Sequence, residues 1–442
     1  VHDVGQRVLR LLAGYTQEVR SLSNPSIILA EDLSPSDTVM FDKTLVLGFC
    51  TAQGGPTSHV AILSKALGIP AVVGIGDWMD KLASCRAVLL DGSTGEIVVD
   101  PDKENIAIFQ ARSEHLLSEY TQALANTHKP AITQDGKHIE IAANIGSPAE
   151  AEHALALGAE GVGLFRTEFL FLEREYAPTE EEQVETYRQV LQAFAPYPVI
   201  FRTLDIGGDK PAPYLNVPQE LNPFLGLRGA RLMLARTETL EIQLRALLRA
   251  GDGYPLRVMF PMIDSLEDVQ AARQIFNRTR TALKEDGLPC AEDIQIGIMV
   301  EVPSAAIMSD VLAEAVDFFS IGTNDLSQYT LAADRTNAAV AMRADALHPA
   351  VLRLIQMVCQ NAHTCNRWVG LCGELGGDPL AVVVLVGLGI DELSMNPRAV
   401  PLVKAAIRKV SLRSAKKLAL ECLKLSSPAE VRTYLQKNQN LG

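Results

Sequence analysis

No stretch of this chain is long and apolar enough to cross a bilayer. The longest apolar run, Leu380 to Ile390, carries two glycines and is bounded by Asp378 and Asp391, well short of the roughly 20 residues that a spanning helix needs. The first residues, Val1-His2-Asp3-Val4-Gly5, have neither the basic segment nor the apolar core of a secretory leader, and no initiator Met, so the chain reads as an excised piece of a cytoplasmic protein with no membrane insertion. Positive charge is also lacking: the formal net charge is −13, which argues against generic binding to nucleic acid or to an anionic membrane. There is no C-x-x-C. Seven cysteines, Cys50, Cys85, Cys290, Cys359, Cys365, Cys372 and Cys422, are scattered singly, as suits a reducing compartment rather than a disulfide framework. A glycine-rich loop of the G-x-x-x-x-G-K type is missing as well, and with it the usual cradle for a nucleotide.

What is present is a globular composition. Hydrophobic residues make up 48% and charged residues 21% of 442 residues, enough for a large core and about two to four domains. The most informative stretch is Gly54-Gly55-Pro56-Thr57-Ser58-His59, followed by the apolar-periodic run Val60 to Leu67. Thr57 or Ser58 supplies an N-cap and Gly68 a stop, which places His59 in a first helical turn, where free N–H groups and the helix dipole favour an anion such as a phosphoryl group. Taken alone, such a histidine is equally an ordinary surface residue beside a capped helix.

A first helix is expected from about 4 to 20. Short Val- and Ile-rich strands follow over 26–29, 44–49, 71–73, 87–91 and 96–98, interleaved with the His59 helix and a helical piece near 78–82. Asp91-Gly92 and Thr94-Gly95 set up a tight hairpin. The segment 102–127 is polar and free of Gly and Pro after Pro101, as a rigid helical connector would be. From Ile132 the cadence changes to buried strand, polar end and amphipathic helix, repeated eight times: 139–145, 161–165, 198–204, 256–262, 296–302, 316–321, 368–372 and 389–394. Eight β/α units fit a closed parallel barrel; a doubly wound open sheet is the alternative topology.

Barrel chemistry is built at the C-terminal ends of the strands, and the polar residues of this chain fall there. Arg166 follows the second strand and Arg202 closes the third, so two guanidiniums from adjacent strands can converge on one phosphate. Glu301 ends the fifth strand, and Asn324-Asp325 follow the sixth. Two carboxylates across a narrow mouth fit Mg²⁺, which takes oxygen ligands. Arg335 is ten residues beyond Asp325, within reach of the same mouth, and Cys372 ends the seventh strand. Each taken singly fits a rim ion pair or core packing as well.

The runs G-G-P-T-S-H-V-A-I, G-V-G-L-F-R-T-E-F-L-F, R-T-L-D-I-G-G-D-K-P, N-P-F-L-G-L-R, M-V-E-V-P-S-A, F-F-S-I-G-T-N-D-L-S-Q-Y-T-L-A-A-D-R and G-L-C-G-E-L-G-G-D, in this order over nearly the whole chain, resemble enzyme I of the sugar phosphotransferase system, the phosphoenolpyruvate:protein phosphotransferases. The resemblance implies an α/β architecture, a C-terminal (β/α)8 barrel preceded by a small α/β phosphohistidine (swivelling) domain. The boundaries expected are 1–22 for the remnant of an N-terminal helical region, 23–101 for the phosphohistidine domain, 102–130 for a helical linker and 131–442 for the phosphoenolpyruvate-binding barrel.

By the same resemblance His59 is the nucleophile that takes the phosphoryl group, giving pyruvate. Arg166, Arg202 and Arg335 bind the substrate phosphate and carboxylate, with Asn324 and Asp325 as further substrate contacts. Glu301 and Asp325 hold Mg²⁺, and Cys372 protonates the enolate carbon. Lys210 and Arg228 are lesser candidates for phosphate contacts. The partners implied are phosphoenolpyruvate, a histidine-containing phosphocarrier protein and a second copy of the chain, docked through the barrel by helices after Pro401. The small domain is expected to swing about the ends of the connector helix.

Two departures stand out. Pro56 occupies a position that is basic in many family members, and the family's helical docking subdomain is represented only by the helix before Arg20, so weak transfer to the carrier is expected. An ATP-linked dikinase and a non-catalytic phosphoenolpyruvate sensor are the competing readings; the missing nucleotide loop counts against the first, and the joint presence of nucleophile, acids and thiol against the second.

Overall fold

A computed structural model of the chain describes residues 22–33, 41, 42, 44–55, 60, 61, 64, 67–172, 174–207, 213–215, 220–337 and 339–438. His59 with its expected caps Thr57 and Ser58, the helix expected over 4–20, and Lys210 all lie outside the described residues. Contacts group the chain into two units, Val1–Glu119 with Ala333–Ala344 and Tyr120–Ala332 with Asp345–Gly442.

In the first unit, β1 (Ser26–Ala30), β2 (Val46–Thr51) and β3 (Ala71–Val73) form a parallel sheet in that order, and β4 (Val88–Asp91) pairs antiparallel with β5 (Glu96–Val99). Apolar side chains from these strands make two small cores, one around Phe49 and Val60 and one around Cys50, Val72 and Leu82. The β4–β5 connection has four residues where a tight hairpin was expected. Its glycine at the turn exit, Gly95, has φ 75°, a left-handed conformation that glycine adopts without steric cost. Gly68, φ 68°, follows the helical Leu67 and provides the expected stop. The connector is a helix over Lys103–Ala125, and Arg112 ties it to the hairpin through Asp91 at 2.8 Å and Glu96 at 3.3 Å.

In the second unit eight parallel strands close into a barrel: β6 (Glu140–Ile145), β7 (Val162–Arg166), β8 (Val199–Arg202), β9 (Leu256–Phe260), β10 (Ile294–Val300), β11 (Phe318–Ile321), β12 (Trp368–Leu371) and β13 (Glu392–Met395), with β13 returning to β6. The alternative open sheet is thereby ruled out. All eight strands were expected from their apolar runs, and they read as continuous runs because helices cover the outside while side chains fill the inside. Helix Glu180–Phe194 illustrates the covering layer. Thr179 and Glu182 form a reciprocal cap at its start, worth about 1 kcal/mol, and Val184, Tyr187, Val190, Leu191 and Phe194 lie buried on its inner face.

The lumen is a separate core of Leu164, Ile200, Met259, Met299, Phe318 and Cys372, with Trp368 packed beneath. Phe318 and Trp368 stack at 4.6 Å. A filled lumen leaves the strand ends as the open surface, and that is where the next observations lie. After Pro401 the chain forms three short helices, Val400–Arg408, Leu412–Cys422 and Pro428–Lys437, rather than long ones.

Candidate active site at the barrel mouth

The register of β7 against β8 pairs Arg166 with Arg202, so adjacent strand ends carry two arginines side by side. Arg202 is buried. Its guanidinium meets Glu168 through Nη2 and Asp205 through Nη1 at 3.2 Å, and Nη1 also donates to Met299 Sδ at 3.6 Å. Arg228, equally buried, is the centre of a wider network. Its Nε and Nη2 donate to the two oxygens of Asp205 at 3.2 and 3.0 Å, and Nη1 and Nη2 to the two oxygens of Asp325 at 3.2 and 3.4 Å. Nη1 also donates to Tyr329 Oη at 3.2 Å, and that hydroxyl in turn donates to the Phe224 carbonyl at 2.5 Å. Burial alone would lower the Arg228 pKa, but the charges of Asp205 and Asp325 reverse this and hold the guanidinium firmly protonated.

The backbone is shaped to admit this network. Gly207 has φ 111°, and a Cβ there would come within 2.7 Å of Arg228 Cβ. Gly229 has φ 55° and would meet Met262 Cγ at 2.8 Å and Asp205 Oδ1 at 3.2 Å. Glycine is needed at both positions for conformation and for space.

Glu301 follows β10, is 1% exposed, and accepts a hydrogen bond from Met262 N at 2.7 Å. Met262 has φ 55°, an uncommon conformation for a non-glycine residue that turns its N–H toward the carboxylate. Burial first, then the charges of Asp325 and Asp205, push the Glu301 carboxyl up to about 7, although Arg228 and Arg202 pull it back. Asp325 lies in the first turn of helix Thr323–Leu331, and Asn324 beside it accepts a hydrogen bond from Glu374 N at 3.1 Å. Cys372, 4% exposed, donates weakly to the Ile321 carbonyl at 3.8 Å. Burial raises its thiol to about 11, opposed by Ser320 and Arg202, so it stays protonated at neutral pH.

Four carboxyl groups, Glu168, Asp205, Glu301 and Asp325, thus surround two buried guanidiniums. A surplus of buried oxygen donors with a raised carboxyl pKa suits a hard divalent cation, which would take the place of a proton. Among the described residues no group of three or more His, Cys, Asp and Glu side chains is arranged to enclose a metal. A cation here would therefore rest on two protein carboxylates, Glu301 and Asp325, and complete its shell with other oxygens, as Mg²⁺ commonly does.

Of the residues singled out in the sequence, the barrel brings together Arg202, Glu301, Asp325, Asn324 and Cys372, with Arg166 beside Arg202. Arg335 is on Ala333–Ala344, grouped with the first unit. Asp205 and Glu168 were missed, although both stand in the quoted runs; their signal was an acid within three residues of each strand-end arginine. Arg228, weighed only as a lesser candidate, joins Asp205 to Asp325 at the mouth.

Residues 121–412 match the family model for the PEP-utilising enzyme, PEP-binding domain, and residues 22–95 that for the PEP-utilising enzyme, mobile domain. The chain is 43% identical to the phosphoenolpyruvate-protein phosphotransferase of Priestia megaterium, over 100% of this chain and 77% of that protein. It is 42% identical to the protein of the same name from Bacillus subtilis (strain 168), over 99% and 76%. A multiphosphoryl transfer protein of Xanthomonas campestris pv. campestris is 48% identical over 98% of this chain and 51% of its own length.

Proposed function

The chain belongs to the phosphoenolpyruvate-utilising enzymes, as an enzyme of the phosphoenolpyruvate-protein phosphotransferase kind, and from that premise we propose that it moves the phosphoryl group of phosphoenolpyruvate to its own His59. Residues 23–101 carry the histidine, 102–130 link it, and 131–442 bind the substrate. The observation that carries this reading is the buried, charge-imbalanced cluster of Arg202, Arg228, Asp205, Asp325 and Glu301 at the strand ends.

In this reading Arg166, Arg202 and Arg335 bind the substrate phosphate and carboxylate, with contacts from Asn324 and Asp325. Glu301 and Asp325 would hold Mg²⁺, which would supply positive charge to the phosphoryl group in transfer. The P–O bond to the enol oxygen breaks as the neutral imidazole nitrogen of His59 bonds to phosphorus, with guanidinium charge stabilising the loosened PO₃. The enolate left behind takes a proton on its methylene carbon from the Cys372 thiol and becomes pyruvate. The raised thiol pKa supports this role, because a donor must hold its proton until charge develops.

From His59 the group passes on to a histidine-containing phosphocarrier protein. A homodimer through the barrel is supported by exposed Ile307 and Val311 on neighbouring short helices and Met308 between them; sedimentation of the wild type against Ile307→Lys tests it, and a monomeric wild type would refute it. For the reaction itself, labelled phosphoenolpyruvate and Mg²⁺ should give an acid-labile, base-stable protein label that is lost in His59→Ala. A label retained in that variant, or none in the wild type, contradicts the assignment.

A further inference from the structure

The lumen below the mouth contains a second buried charge cluster. Trp368 and Gly370 on β12 and Cys372 just after it alternate and so share the inner face, with Trp368 and Cys372 in the lumen core. Gly370 leaves a slot: a Cβ there would come within 3.0 Å of Glu392 Oε1. Gly163 on β7 leaves the same slot from the other side, its Cβ position being 2.6 Å from that oxygen and 2.5 Å from Ser394 Oγ. The Glu392 carboxyl therefore occupies the room that two glycines vacate.

Glu392 is 1% exposed, and its Oε1 accepts no hydrogen bond among the described residues. Its Oε2 faces Arg257 Nη1 at 3.5 Å, and the same Nη1 is 3.5 Å from Glu140 Oε1. Arg257 lies over the Trp368 ring at 4.5 Å. Beyond Glu140 stand Glu160 and His138, and Ser394 donates to Asn144 Oδ1 at 2.6 Å. Two carboxyls share one guanidinium, so one of them is left without a matching charge.

We propose that Glu392 is a positioning residue for the Cys372 thiol: paired on β13 with Gly370, one strand repeat, about 6.6 Å, before the cysteine, its carboxyl governs how readily that thiol gives up its proton. The inference rests on the reading of Cys372 as proton donor. In that step the S–H bond breaks, a C–H bond forms at the methylene carbon, and the negative charge of the enolate ends on sulfur. If Glu392 is protonated the charge arrives beside a neutral group; if Glu392 is ionised it arrives beside a second anion and is disfavoured.

Burial and the charge of Glu140 push the Glu392 carboxyl up to about 8, against Arg257. Glu392 is thus neutral at pH 7 and ionises just above it. The groups that bear on Cys372 from the mouth, Ser320, Arg202 and Glu301, are unchanged by substitution at Glu392, which allows its share to be isolated.

The test is the pH profile of Cys372 alkylation by iodoacetamide on the full chain, read at the Cys372 peptide by mass spectrometry so that the other six cysteines do not contribute. In the wild type the rate should climb with pH and then flatten across the Glu392 titration. Glu392→Gln should match it below pH 7 and run straight above, roughly tenfold faster at pH 9. Identical profiles, or a slower variant at pH 9, overturn the proposal. Should Glu392→Gln not fold, Glu140→Gln serves: with one repelling charge removed, the flattening should move to lower pH, and an unmoved bend counts against the proposal. Pyruvate formation by Cys372→Ser is measured in parallel; full activity there would refute the donor role of Cys372 and leave the alkylation result intact.

Discussion

The two ends of this barrel bury charge in opposite ways. At the mouth four carboxyls face two guanidiniums, in a network that includes both oxygens of Asp205 and both of Asp325. In the lumen two carboxyls face one guanidinium, one oxygen of Glu392 has no hydrogen bond among the described residues, and an aromatic pair closes the floor. Both ends hold surplus negative charge. On this account the mouth relieves its surplus with a cation and the lumen relieves its own with a proton. An unbalanced buried carboxyl is thus informative only together with what can reach it.

The largest expected effect breaks the mouth. Arg202→Ala takes the buried guanidinium away from Glu168 and leaves Asp205 to Arg228, and should cost about 3–5 kcal/mol of stability, measured by denaturant unfolding, with about 10³-fold lower kcat/KM. Adding Glu168→Gln to that variant should recover stability without activity, which separates folding from chemistry. Next comes Cys372→Ala, which should keep phosphoenolpyruvate-dependent labelling of His59 while slowing pyruvate release by about 10²- to 10³-fold; rapid quench with lactate dehydrogenase coupling reads both.

A smaller effect separates the two ends by pH. Glu301 and Glu392 both have folded pKa values, about 7 and about 8, above the ordinary value of 4.5. The folded state therefore binds more protons than the unfolded state between those limits, and stability must fall as pH rises through that window. Calorimetry should show the barrel transition dropping between pH 5 and 8.5, at about 2–4 °C per kcal/mol, with Glu392→Gln flattening the upper part. Mg²⁺ should offset only the Glu301 share. The smallest effect lies outside both ends: Lys424→Ala removes an exposed pair with Glu421 at 2.8 Å and should change stability by less than about 0.5 kcal/mol.

The eight strands were legible because apolar runs with polar ends recur at regular intervals, and their observed bounds shift by only a few residues; β12 begins at Trp368 as read. The mouth was legible where chemistry-bearing residues end strands or directly follow them, as with Arg202, Glu301 and Cys372. Asp205 and Glu168 were not, because an acid near an arginine reads the same in sequence whether it forms a rim pair or a buried one. Glu392 was hidden for a different reason. It opens a strand whose inner neighbours are two glycines from other strands, Gly163 and Gly370, and no local pattern connects them. The first helix and His59 itself were read from local motifs alone and lie outside the described residues.

The central claim is that the surplus charge at Glu301 and Asp325 is matched by Mg²⁺, and that substrate binds to the matched site. Titration calorimetry of phosphoenolpyruvate into the whole chain, with Mg²⁺ and then with excess chelator, tests it directly. The expected result is tight binding only with Mg²⁺, with a Mg²⁺ affinity that rises about tenfold per pH unit up to about 7 and levels off above, and loss of both in Glu301→Gln. Equal affinity with and without the metal, or an unaffected Glu301→Gln, would contradict it.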